Sequence, residues 1–157
     1  MVIEKNYLIK TLKESGIKSQ VYTNMKKLKQ GNEPHVGAVL RNGETFTRSG
    51  SKKVYTDQEG RRKRRVKLWN RSTSLHVVIA DTSEEKVEEI LENFLVSLKK
   101  GLDVNGNWVN IEVGDADWVE DGDSILKAKV AVQFDVTFEG GIYQDRKIQP
   151  MEIGSIE

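Results

Sequence analysis

The chain has 157 residues, 37% hydrophobic and 31% charged, which suits one globular domain able to bury a core without cross-links. Its 25 Lys and Arg nearly balance 24 Asp and Glu, so global charge argues neither for nucleic acid nor for a membrane surface. With no cysteine, disulfides, thiol nucleophiles and thiolate metal sites are excluded.

Glu4 to Ser15 predicts a helix, with Leu8, Ile9 and Leu12 on one face and Gly16 as its stop. Met1-Val2-Ile3-Glu4-Lys5-Asn6 lacks the basic start and apolar stretch of a signal peptide. No apolar run approaches the ~20 residues of a membrane span. A chain working where it is made, in the cytoplasm, is expected. Ile17 to Tyr22 reads as a first strand, and the Lys-rich stretch Asn24 to Pro34 as a loop. His35 to Leu40 reads as a strand ended by the turn dipeptide Asn42-Gly43.

A long charged β-hairpin is predicted next. It rises through Lys52, Val54 and Tyr55, turns at Asp57-Gln58-Glu59-Gly60, and returns through Arg61-Arg62-Lys63-Arg64-Arg65 to Trp69. Its polar tip and apolar-poor arm imply that it projects from the body and is mobile. Ser74 to Ala80 is the most apolar strand.

The second helix has a capping box in Thr82 and Glu85, followed by Val87, Ile90, Leu91, Phe94, Leu95 and Leu98 at helical spacing. Lys99, Lys100 and Gly101 close it. Each of its apolar side chains stabilises by about 1.5–3 kcal/mol if fully buried. Trp108 to Val113 is a short strand, and Gly114 to Ser124 an acidic loop. In the last strand Ala128, Val130, Val132, Phe134, Val136 and Phe138 face the core, while Lys127, Lys129, Gln133, Asp135 and Thr137 face outward. Gly140-Gly141 is read as a turn, and residues 144–157 as a loose tail behind a core of about 4–143. The predicted class is α+β, a single domain over 1–157. One mixed or antiparallel sheet is packed by two helices.

No site chemistry stands out, and no cofactor or metal is expected. His35 and His76 lack the converging ligands of a metal site and read as ordinary strand residues. Gly31, Gly37, Gly43 and Gly50 are scattered rather than gathered into a phosphate loop. The acidic segment, with Asp115, Asp117, Glu120, Asp121 and Asp123, does not match the spacing of an EF-hand. The run Arg61, Arg62, Lys63, Arg64 and Arg65 is read in two ways: as an arm meeting an acidic protein surface, or as phosphate contacts to DNA or RNA. No aromatic residue interrupts it.

The order of elements, with Leu75-His76-Val77-Val78-Ile79-Ala80 before the amphipathic helix and Val130-Ala131-Val132-Gln133-Phe134-Asp135-Val136-Thr137-Phe138-Glu139-Gly140-Gly141-Ile142-Tyr143 at the end, resembles the tail-terminator (tail-completion) proteins of long-tailed bacteriophages and prophages. The resemblance spans roughly Glu4 to Tyr143. It implies a non-enzymatic subunit that forms a ring, six-membered in the family, which caps the tail tube and presents a surface to a head-completion protein. It further implies assembly in the bacterial host cytoplasm and residence in the virion tail. Basic Arg61 to Arg65 and acidic Asp115 to Asp123 would then pair head-to-tail around the ring. A nucleic-acid-binding module using the basic hairpin is the alternative, and a metal-dependent hydrolase using the acidic loop a third.

Overall fold

Two strands of unusual length organise the structure. The computed structural model describes residues 1–120 and 130–148. In it β4 (Arg62–Asp81) runs for 20 residues and β8 (Val130–Lys147) for 18, against about five or six for a typical strand. Around them lie α1 (Val2–Ser15), β1 (Val21–Tyr22), α2 (Met25–Gln30), β2 (Val36–Arg48), β3 (Lys52–Thr56), α3 (Glu84–Ser97), β5 (Gly101–Val104), β6 (Asn107–Val113) and β7 (Asp117–Glu120). One eight-stranded sheet has the order β1-β2-β4-β8-β6-β5, with β3 continuing beside β4 and β7 beside β8. Among the described strands only the β1–β2 pair is parallel. The class is α+β with one mixed sheet.

Strand alternation sorts β4 and β8 into two faces. Leu75, Val77 and Ile79 of β4 and Val132, Phe134, Val136 and Phe138 of β8 are buried under α1 and α3. Leu8 and Leu12 come from α1, and Val87, Ile90 and Phe94 from α3. The Phe94 and Phe134 rings meet at 5.6 Å, tilted. Leu91 and Leu98 pack at the margin, whereas Leu95 faces outward. The cap of α3 is Ser83, one residue later than its sequence indicates, because Asp81 Oδ1 already accepts the Thr82 amide. The helix ends at Ser97, so Gly101 opens β5 rather than closing α3.

The opposite face is not wholly wet. Val36, Ala38 and Leu40 of β2, Val78 and Ala80 of β4, and Ala131 of β8 form a second buried cluster with Leu28. Leu28 belongs to α2, in the stretch expected to be a loop. There Asn24 Oδ1 accepts the Lys26 amide at 2.8 Å and caps a turn of good helix formers whose one buried apolar residue covers this cluster.

Both expected glycine turns are strand irregularities. At Asn42-Gly43, β2 continues: Arg41 pairs with Leu75 and Gly43 with Ser74, so Asn42 is the extra residue of a bulge, with Gly43 at φ 151°. At Gly140-Gly141, β8 continues opposite a second bulge, where Lys67 pairs with Tyr143 and Trp69 with Ile142. A Cβ on Gly141 would sit 2.5 Å from Lys67 Cε and 2.8 Å from the Trp69 carbonyl oxygen. Glycine admits that approach. Residues 144–147, expected in a loose tail, are therefore paired strand. Asn105-Gly106, with φ of 54° and 83°, makes the two-residue turn between β5 and β6, and the sequence gives no sign of β5 itself. Lys127, Ala128 and Lys129, assigned to the last strand from sequence, lie outside the described residues. No helix among the described residues is long and apolar enough to cross a membrane.

Candidate interaction site

The basic run lies at one end of the sheet, where β3, the start of β4 and the end of β8 form a three-stranded ribbon. The turn at its tip is set by Asp57, whose Oδ1 accepts the amides of Glu59 and Arg61. Those bonds, the Arg61 amide first, hold the Asp57 carboxyl below its ordinary range. Within residues 51–67 and 143–147 there are ten Lys and Arg against three Asp and Glu, a local charge of +7 in a chain whose net charge is +1. Lys52, Lys53, Arg146 and Lys147 thus join the five cations of the linear run. The only sequence signal of the last two is a cluster of charge in what looks like a tail. The register across β4 and β8 reveals that it belongs to the same surface.

Cross-strand neighbours share a face. On one face stand Lys53–Arg65–Asp145 and Tyr55–Lys63–Lys147. This face is partly self-compensated: Arg65 and Lys63 have carboxylate partners, whereas Lys53 and Lys147 have none among the described residues. Arg65 grips Asp145 through Nε at 2.7 Å and Nη2 at 3.2 Å, and its Nη1 donates to Asn107 Oδ1 on β6 at 3.1 Å. The pairing raises the Arg65 pKa and lowers that of Asp145. Lys63 approaches Asp57 at 3.4 Å. Arg65 lies 4.9 Å over the Tyr55 ring and Lys67 5.9 Å over Tyr143. The arm is thus fastened to the β5–β6 turn rather than projecting freely, and Val66 within it is buried.

The other face carries Lys52–Val66–Gln144, Val54–Arg64–Arg146 and Thr56–Arg62. Its four cations have no carboxylate partner among the described residues. Arg64 and Arg146 stand directly opposite each other, an arrangement that costs a few tenths to about 1 kcal/mol. Among the described residues Arg146 donates only to the neutral Gln144 Oε1, and Arg64 Nε is buried without a hydrogen-bond partner.

The base of the ribbon is anchored by a second ion pair. Arg71 Nε and Thr73 Oγ1 both donate to Glu44 Oε2. The Arg71 bond, ahead of opposing desolvation, holds the Glu44 carboxyl below its ordinary 4.5. A carboxyl depressed by folding stabilises fully above its unfolded pKa and loses that contribution as pH falls through the lower folded value. Glu44→Gln is expected to cost about 1–2 kcal/mol at neutral pH. It should also flatten the decline of stability below pH 4.5, as followed by denaturant unfolding at several pH values.

The acidic candidates lie elsewhere. Asp117 and Glu120 are on β7, paired with β8 at Gln133 and Val130, and Asp115 is in the exposed connection from β6. The segment is thus partly an edge strand rather than a loop. Asp121 and Asp123 lie outside the described residues. At about 3.3 Å per residue, roughly 55 Å of β8 runs between Val130, the partner of Glu120, and Lys147. One chain does not bring its acidic and basic candidates together.

Both histidines are engaged in pairs. His35 Nε2 accepts the Lys18 amide at 3.0 Å, which places the proton on Nδ1, 2.8 Å from Asp81 Oδ2. Burial alone would raise the Asp81 carboxyl, but His35 and the Thr82 amide bring it below its ordinary value. His76 bridges Asp135 at 2.7 Å and Gln133 at 3.0 Å across β4 and β8. Among the described residues no group of three or more His, Asp or Glu side chains is placed to hold a metal ion. No family model matches the chain, and no curated protein matches it significantly.

Proposed function

We propose that this protein is a structural assembly subunit of the tail-terminator kind, which self-associates head-to-tail into a ring, closes a tail tube and offers a surface for head joining. The observation that carries this reading is the polarity of charge: +7 on the ribbon and, by difference from the net +1, −6 on the rest of the chain. A basic ribbon on a chain that is otherwise net acidic favours contacts between unlike surfaces, and such heterologous contacts close into rings when the rotation permits. The proposed partners are further copies of itself, a tail-tube protein and a head-completion protein, met in the bacterial host cytoplasm and retained in the virion tail. No turnover is proposed. Mixing the protein with assembled tubes and imaging their ends is the test. A terminal ring is expected, and binding along duplex DNA with no affinity for tube ends would overturn the reading.

The alternative, nucleic-acid binding, has one observation of its own. Register places Tyr55 and Tyr143 among the cations, an interleaving absent from the linear run. Both rings are covered by Arg65 and Lys67, however, and offer little face for base stacking. Contact with phosphates is the part of this reading that the cations support, and its affinity would fall steeply with salt.

A further inference from the structure

The uncompensated face of the ribbon has a counterpart on α3. Glu84, Glu85, Glu88, Glu89 and Glu92 are all exposed, and none is paired with a cation among the described residues. With Val87, Ile90 and Phe94 turned inward, helical spacing puts Glu85, Glu88, Glu89 and Glu92 on the outward side. Like charges at four-residue spacing cost about 0.2–0.5 kcal/mol per pair in an isolated helix. Two surfaces of one chain therefore carry unrelieved repulsion of opposite sign.

We infer that the row formed by Lys52, Arg62, Arg64 and Arg146 docks on the outward face of α3 of a second copy. This rests on the self-association proposed above and names its contact. It replaces the acidic segment 115–123 by α3 as the surface that receives the arm. The spacings agree for Arg62 and Arg64: glutamates four apart on a helix rise about 6 Å, and alternate residues of a strand about 6.6 Å, so these two guanidinium groups can meet two successive carboxylates while Arg146 stands across from Arg64. Each row also carries one exposed valine, Val54 in the ribbon and Val96 at the end of the α3 stripe, the latter 87% exposed. The contact must lie between copies. Along β4, about 55 Å of strand at ~3.3 Å per residue lies between Arg64 and Asp81, beside which α3 begins.

A charge exchange tests this. Arg64→Glu/Arg146→Glu and Glu88→Lys/Glu92→Lys alter exposed or half-exposed positions and should both fold, which circular dichroism checks. Native mass spectrometry and sedimentation at low ionic strength then measure association. Each double variant alone is expected to associate at least ten-fold more weakly than the wild type, and an equimolar mixture of the two to regain it as alternating oligomers. Wild-type affinity in either variant, no recovery in the mixture, or a wild-type chain monomeric through the millimolar range would overturn the proposal. So would loss of duplex-DNA binding in the arginine variant with self-association intact, which would assign the row to a phosphate backbone. Tube-end capping is scored separately: variants that still cap ends defeat this contact but not the assembly reading. Wild-type chains that associate by the exchange rule yet ignore tube ends do the reverse.

Discussion

Phe94→Ala is expected to destabilise the protein by about 3–5 kcal/mol, and Phe134→Ala by a similar amount. Phe94 is fully buried and Phe134 is 2% exposed, and their rings touch across the boundary between α3 and β8. Truncating either removes aromatic surface from the core and leaves a cavity that two long antiparallel strands cannot collapse around. The pair should also be coupled, because a tilted ring contact adds about 0.5–1.5 kcal/mol beyond area burial. The double variant should then lose less than the sum of the single ones. Urea midpoints read the first effect and a double-mutant cycle the second. Unchanged midpoints in both single variants would show that the buried faces of α3 and β8 are wrongly assigned.

The second large effect is expected from an added methyl group. Gly101→Ala should cost about 1–3 kcal/mol. A Cβ there would fall 2.5 Å from the Val109 carbonyl oxygen and closer still to the Trp108 ring. The carbonyl belongs to β6 and cannot swing aside. Trp108 is held by its indole N–H, which donates to Asn110 Oδ1 at 2.8 Å. Gly50→Ala, where nothing lies within 4 Å, is the matched control and should leave stability nearly unchanged. Thermal unfolding monitored by tryptophan fluorescence distinguishes the two. Equal midpoints for both variants would mean that β5 and β6 do not approach as described.

These positions illustrate what the linear sequence discloses. The apolar faces of α1 and α3 and the alternation in β8 are local periodicities, and by themselves they locate the main core. Glycine is harder to read, because its purpose is set by a neighbour far along the chain. Asn42-Gly43 and Gly140-Gly141 have the composition of turns, yet each lies where a strand bulges or meets its partner at close range. Asn105-Gly106 has the same composition and is a turn. α2 is hidden because six residues with one buried apolar side chain show no period. For the candidate site, the run from Arg61 to Arg65 is plain in the sequence. Its division into a partly compensated and an uncompensated face is not, since that depends on Asp145 and Arg146, some 80 positions away.

The strand order β1-β2-β4-β8-β6-β5 has a consequence for how the molecule is made. β8 lies between β4 and β6 and is the last described strand to leave the ribosome. Until it arrives, β1 to β4 with their helices and the β5–β6 hairpin are two fragments with no strand to join them, and β4 shows an open edge 20 residues long. Maturation is therefore expected to be post-translational and slow, limited by closing contacts between distant parts of the chain. A nascent chain released before residue 130 would carry that open edge unpaired and be prone to aggregate. Only a chain synthesised through residues 130–147 can complete the sheet, and the end of that strand supplies Arg146, a member of the proposed docking row.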